Sequence, residues 1–407
     1  MILVLFFLFY IISLKQRDTS DPRWSIYKQT SPLTAAEDDL LHSLTFRISE
    51  NNLTRRSPSS KKHIVFVKVH KAASSTMHNI FTRFALLNNL NVMINTQDPH
   101  INELGYQINE NVLVPRPCGS TFDLLCNHLI FNHSEISPYF PKDTVYVGIV
   151  REPFSQFLSA FIYYSYVWPQ EINSKVIKKN PENPIEEFLE NSESYLKGTR
   201  PNQVMIDNRM SVDFGFPLDD FQNSKSNLSK ISEFVQSLDK RFDFVLIVEY
   251  FDESLVMLRR ILNWSTKDII YVKNNVKKAN DNHLPFVNRK TYPDDVTKKF
   301  AQFARLDLAV YRHFHAVFQR KLLAQPPDFH SEVDAFRSVR EKVAEMCSGL
   351  LAHRNLAKVL TVPGTQFTTS FLLTSLDCVL LTDEETILTG RAARVQLTRA
   401  NQLRCAH

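Results

Sequence analysis

The sequence predicts an α/β fold with a central parallel sheet and helices on both faces, from three observations. Short β-branched and aromatic runs at 64–69, 144–150 and 244–248 alternate with stretches of helical apolar spacing at 76–87, 153–164, 252–262 and 296–322. The first two runs each turn into a helix within a few residues, the order that builds parallel sheets. No repeat of solenoid length interrupts that order. With 407 residues, 43% hydrophobic and 22% charged, the chain can bury one large core or two smaller ones.

Residues 1–14, MILVLFFLFYIISL, are almost wholly apolar and precede Lys15 and Arg17. As a helix they reach about 21 Å, short of a bilayer. They read as a signal-anchor whose cytoplasmic start is missing; a cleaved signal peptide is the alternative, without a clear small-residue cleavage site. Either sends the chain into the secretory pathway, in keeping with sequons at Asn52, Asn132, Asn227 and Asn263. Those at Asn132 and Asn227 fall where folding could bury them. Residues 15–60 are polar, with Pro22, Pro32, Pro58 and the run RRSPSSKK, and read as a stem; 61–350 read as the folded part. Residues 351–407 turn to Thr and Leu with little periodicity and receive no role. The net charge of +5 is spread out, without the basic blocks of a nucleic-acid binder. Five scattered cysteines make neither a disulfide scaffold nor a zinc pattern, and one must stay unpaired within the chain. Cys118 and Cys126 are near enough to close a small loop, but spacing alone does not pair them.

The joint in HIVFVKVHKAASSTMHNIFTRF, residues 63–84, crowds cations and hydroxyls between a strand and a helix. A helix opening on Ser74, Ser75 and Thr76 offers free backbone N–H groups, hydroxyls and the positive end of its dipole. Lys68 and Lys71 add charge, so phosphate or sulfate would meet three kinds of donor together. The alternative is an ordinary N-capped helix with two solvated lysines. The glycines of a GxxxxGK[ST] nucleotide loop are absent.

A second strand, turn and helix reads TVYVGIVREPFSQFLSAFIYY, residues 144–164. Arg151 stands at the carboxyl end of the strand, Pro153 where a first helical turn tolerates it, and Ser159 eight residues after the arginine. A guanidinium there suits bidentate phosphate binding, unless an ion pair with Glu152 or a neighbour occupies it.

Together, KVHKAASST and IVREPFSQFLSAF resemble the 5'-phosphosulfate loop and the 3'-phosphate motif of sulfotransferases that use 3'-phosphoadenylyl sulfate (PAPS). With FDLLCNHLIFN at 122–132 and FDFVLIVEYFDESLVMLRRILNW at 242–264, the chain resembles the galactose 3-O-sulfotransferases over residues 61–350, apart from Ala72, where the pattern usually has Thr. The resemblance implies a P-loop-like sulfotransferase fold and transfer of a sulfuryl group from PAPS, without a metal, to galactose on a glycolipid or glycoprotein. It also implies a Golgi, single-pass type II membrane protein with a lumenal catalytic domain. Lys68, His70, Lys71, Ala73, Ser74, Ser75 and Thr76 would form the phosphosulfate loop, and Arg151 and Ser159 the 3'-phosphate site. Lys71 would stabilise the leaving phosphate, and His128 would be the general base, with His70 and Glu249 as rivals. Sugar recognition would lie near Asn208, Arg209 and Asp213. A heparan or chondroitin acceptor, a nucleotide kinase and a non-catalytic glycan-binding module are the competing readings.

Overall fold

The computed structural model describes residues 60–96, 100–102, 108–168, 171–272, 291–352 and 359–403. The apolar N-terminal segment, nearly all of the stem, Asn52 and Cys405 lie outside them. No helix among the described residues is long and apolar enough to cross a membrane.

Four parallel strands form the central sheet: β1 (Ile64–Phe66), β3 (Leu124–Leu125), β5 (Val145–Val150) and β6 (Phe244–Ile247), in the order β3-β1-β5-β6. Ile64 pairs with Leu124 on one side and Val145 on the other, and Val147 pairs with Phe244. These strands are buried almost throughout, which explains their continuous rather than alternating apolar character. Gly148 lets the sheet pack tightly, since a Cβ there would stand 2.7 Å from the Phe214 ring. Two further short strands, β2 (His100–Asn102) and β4 (His128–Leu129), pair alongside.

The chain leaves β1 through helix α1 (Ser74–Leu87) toward β3, then returns to the other side of β1 for β5, helix α2 (Pro153–Val167) and finally β6. The strand order therefore reverses between β1 and β5. In open α/β sheets that switch point, at the carboxyl ends of the strands, is where ligands bind. Both anion motifs occupy it.

The predicted strands and first three helices are present with small shifts at their ends, but 296–322 is two helices, Asp294–Phe303 and Arg305–Leu323. The break has a visible cause. Asn208 inserts its side chain, donating from Nδ2 to the Phe303 carbonyl at 3.2 Å and accepting at Oδ1 from the Asp307 N–H at 3.0 Å.

The C-terminal segment is part of the main core. A long helix, α3 (Phe329–Ala352), leads to a hairpin of β7 (Val359–Val362) and β8 (Phe371–Thr374), then to α4 (Ser375–Thr382) and α5 (Glu385–Gln402). Leu388, Ala392 and Ala393 of α5 are buried in the same cluster as the central sheet. Gln396 satisfies the Val92 N–H at 2.7 Å and donates to the Val114 carbonyl at 3.1 Å, and Thr389 bonds His78 at 3.1 Å. A disulfide, Cys347–Cys378, ties α3 to α4.

The pairing left open at Cys118 and Cys126 is excluded. Cys126 is a free thiol, fully buried against Thr82, and burial pushes its pKa up to about 12; Cys118 is in a disulfide.

Candidate active site

After β1 the backbone turns through residues 70–73, and two residues there that are not glycine, Lys71 and Ala73, take the left-handed conformation at φ 59° and 54°. Each costs on the order of 1–3 kcal/mol and persists only where its surroundings impose it. Three side chains do so. Arg151 donates to the Lys71 carbonyl at 3.0 Å, Gln156 of α2 donates to the His70 carbonyl at 2.9 Å, and the His70 N–H donates to Asp213 at 2.8 Å. The two anion motifs are thus one structure, joined through Arg151.

Ala73 is the N-cap of α1 and no side chain caps that terminus. Lys68 is buried at 1% exposure. An ordinary capped helix with two solvated lysines is therefore not what this loop forms. Ser74 is buried, Thr76 partly so and Ser75 exposed, while the Ala72 side chain is fully buried. The Lys71 ammonium sits over the Tyr163 ring, 3.7 Å from its centroid. Burial, reinforced by the charges of Arg151 and Lys68, lowers its pKa to about 8.

The two candidate histidines meet. His70 and His128 stack with ring centroids 3.8 Å apart. Lys68 Nζ donates to His128 Nε2 at 2.7 Å, and His128 Nδ1 is 3.1 Å from the Lys68 carbonyl oxygen. An ammonium can only donate and a carbonyl can only accept, so the neutral ring carries its proton on Nδ1, and its unprotonated Nε2 accepts from Lys68. His70 is held differently: its Nδ1 bonds Asp213 at 2.9 Å, and Arg209 bonds the same carboxylate at 2.9 Å. Burial raises the Asp213 pKa to about 6 against the pull of Arg209.

The other sequence candidates are distributed around this centre. Ser159 is half-buried on α2. Glu249 belongs to the Arg151 side of the crevice, accepting from the Glu152 N–H at 2.9 Å and the Tyr311 hydroxyl at 3.3 Å. Asn208, Arg209 and Asp213 are at most 3% exposed and hold the helix break and His70 rather than facing solvent. Among the described sequons, Asn132, Asn227 and Asn263 are all exposed; Asn132 and Asn227 each cap a helix with their side-chain oxygen. No cluster of three or more metal-ligating side chains occurs among the described residues.

Two features escaped the sequence reading. Glu385, from the segment left without a role, pairs with Lys68 at 2.7 Å. The end of α2 exposes Tyr163, Tyr166 and Trp168, with Tyr164 stacked on Trp168 at 4.7 Å and lying 6.5 Å from His70. The run FIYYSYVW carries that second signal in its density of aromatic residues.

Known proteins match this chain in sequence. Galactose-3-O-sulfotransferase 3 of Mus musculus is 30% identical over 301 residues, 72% of this chain and 66% of that protein. Galactose-3-O-sulfotransferase 2 of Mus musculus is 30% identical over 295 residues, covering 70% of this chain and 69% of that one. Galactosylceramide sulfotransferase of Homo sapiens is 30% identical over 289 residues, covering 70% and 64%. The chain thus spans about two thirds of the length of these relatives. The model of the galactose-3-O-sulfotransferase family matches residues 3–361, and the chain belongs to that family.

Proposed function

We propose that the chain transfers a sulfuryl group from PAPS to the 3-hydroxyl of a galactose on a glycolipid or glycoprotein glycan. The observation that carries this reading is the Arg151 bond to the Lys71 carbonyl, which joins two anion-binding loops at the switch point of the sheet. A donor carrying phosphate on both the 3' and the 5' oxygen of its ribose needs two such loops at a fixed separation. Ser74, Ser75, Thr76 and the amides of α1 hold the 5'-phosphosulfate, and Arg151 and Ser159 the 3'-phosphate.

Transfer is a loose in-line displacement, so the protein mainly positions the reactants and stabilises charge. Lys71 meets the negative charge that grows on the leaving phosphate oxygen. His128 takes the acceptor proton on the unprotonated Nε2 fixed by its two partners. The ring of exposed aromatics at the end of α2 begins at Lys71 itself, through Tyr163, and offers the flat apolar faces on which a sugar stacks. The same reading places the catalytic domain, which begins at 61 and takes in the C-terminal segment packed into its core, in the Golgi lumen behind a single anchor at 1–14 and a stem at 15–60, with glycans on the exposed sequons.

The test is transfer of labelled sulfate from PAPS to a panel of terminal-galactose, heparan and chondroitin acceptors, with linkage analysis of the product. Galactose labelled at O3 is expected. Label only on the anionic polymers, or transfer from ATP-derived phosphate instead, refutes the reading. Adenosine 3',5'-bisphosphate is expected to compete with the donor and ATP is not.

A further inference from the structure

Helix α5 lies beyond residue 361, where the family match ends, yet its first residue enters the histidine centre. Glu385 Oε1 accepts from Lys68 Nζ at 2.7 Å while the same ammonium donates to His128 Nε2 at 2.7 Å. The Lys68 side chain is 2% exposed and that of Glu385 29%. We propose that Glu385 is a positioning residue for the transfer step, supplying through Lys68 the negative charge that allows His128 to become an imidazolium. The inference rests on His128 being the general base.

The argument is one of charge balance. Protonating an imidazole in contact with an ammonium gathers two cations in a buried space, which opposes the very step a base must perform. Among the described residues, the groups near His128 include Lys68 and His70 from the loop after β1, with Asp213 and Arg209 behind His70, and Glu385 of α5, which His78 of α1 also faces. Asp213 is already matched by Arg209, so the carboxylate that faces Lys68 is Glu385. Burial pushes the Glu385 carboxyl up, but its cationic surroundings, the Lys68 ammonium foremost, pull it down, well below the usual carboxylate range. It is therefore ionised wherever the enzyme works.

In the step itself the acceptor oxygen forms its bond to sulfur, and the bond from sulfur to the 5'-phosphate oxygen breaks with its electron pair left on the phosphate. The hydroxyl proton passes to His128 Nε2. Lys68 gives up its bond to that nitrogen as the acceptor arrives, and Glu385 retains the displaced ammonium.

The experiment follows the His128 imidazole by NMR titration in the full chain, with the signal assigned by its loss in His128→Ala. Glu385→Gln keeps the hydrogen-bond acceptor and removes the charge; the His128 midpoint is expected to fall by about one pH unit or more. Glu385→Ala, which removes charge and acceptor together, is expected to lower it likewise and carries the test if Glu385→Gln does not fold; Lys68→Gln is expected to raise it. The acidic limb of kcat/KM moves in the same direction, and kcat of Glu385→Gln falls about tenfold or more. Glu384→Gln, at the exposed neighbour, moves neither. An unmoved midpoint in the folded variant overturns the inference alone. A coupled midpoint in a chain that transfers no sulfate, or whose His128→Ala variant keeps the acidic limb, overturns the base assignment and with it the role of Glu385 in transfer.

Discussion

Lys71 is held by a left-handed backbone, an arginine on its carbonyl and an aromatic ring under its ammonium. Because burial lowers its pKa to about 8, the sign of its pH dependence follows: the ammonium is present below that value and lost above it. The kcat/KM for PAPS, which reports the free enzyme, should fall as pH rises through about 8. Lys71→Arg should carry that limb above the measurable range, and Lys71→Ala should lower kcat by about 10²-fold or more at neutral pH. An unchanged kcat in the alanine variant would remove Lys71 from the chemistry. Arg151→Ala and Ser159→Ala should instead weaken binding of adenosine 3',5'-bisphosphate, by about tenfold for the arginine, because the 3'-phosphate does not react. Calorimetric titration of the bisphosphate checks this. The turn that carries Lys71 and the strand end that carries Arg151 were legible in the sequence because strand, turn and helix are local patterns. The burial of Lys68 was not, since its counter-ion is 317 residues away in a stretch with no periodicity of its own.

Helix α2 divides its aromatic residues between two tasks. Phe157 and Phe161 face inward, into a second core cluster with Phe188 and Phe300, while Tyr163, Tyr166 and Trp168 remain exposed at its carboxyl end. Helical spacing announced the inward face and gave the helix its place after β5. It could not say that the outward rings would lie beside the loop after β1, which depends on the order of strands. The same limit explains the helix break at Ala304: the periodicity of 296–322 is continuous, and the interruption is imposed by Asn208, 99 residues before its partner Asp307. For the acceptor surface the expected outcome is specific. Trp168→Ala and Tyr166→Ala should each raise the acceptor KM about 3- to 10-fold, the value of one aromatic contact, while the KM for PAPS stays within about twofold. Initial-rate measurements with each substrate varied in turn decide it. Equal effects on both substrates would mean that the ridge supports the fold rather than the sugar.

At the scale of the whole molecule, the candidate site depends on a segment that must be kept in place from the far end of the chain. Residues 359–403 bring Glu385 to Lys68, bury their apolar side chains against α1 and the sheet, and are fastened to α3 by Cys347–Cys378. That bond closes a sequence separation of 31 residues. In the loop-entropy account a closure of this length stabilises a fold by about 3–4 kcal/mol, provided the unfolded chain is otherwise free. Replacing both cysteines by alanine should therefore lower the free energy of unfolding by up to about that amount, read by denaturant titration. The loss should be felt at the site as well: the variant should release α5 before the central sheet unfolds, so sulfate transfer declines at a lower temperature than the far-ultraviolet signal. Cys126 gives an internal reference for this order of events. Its thiol is fully buried and its pKa is pushed up to about 12, so alkylation at pH 8 should leave it untouched until the sheet and α1 separate. Activity lost before Cys126 becomes reactive would establish that the C-terminal segment opens first; activity and Cys126 protection lost together would show that the segment and the sheet unfold as one unit, and the proposed early release would be wrong.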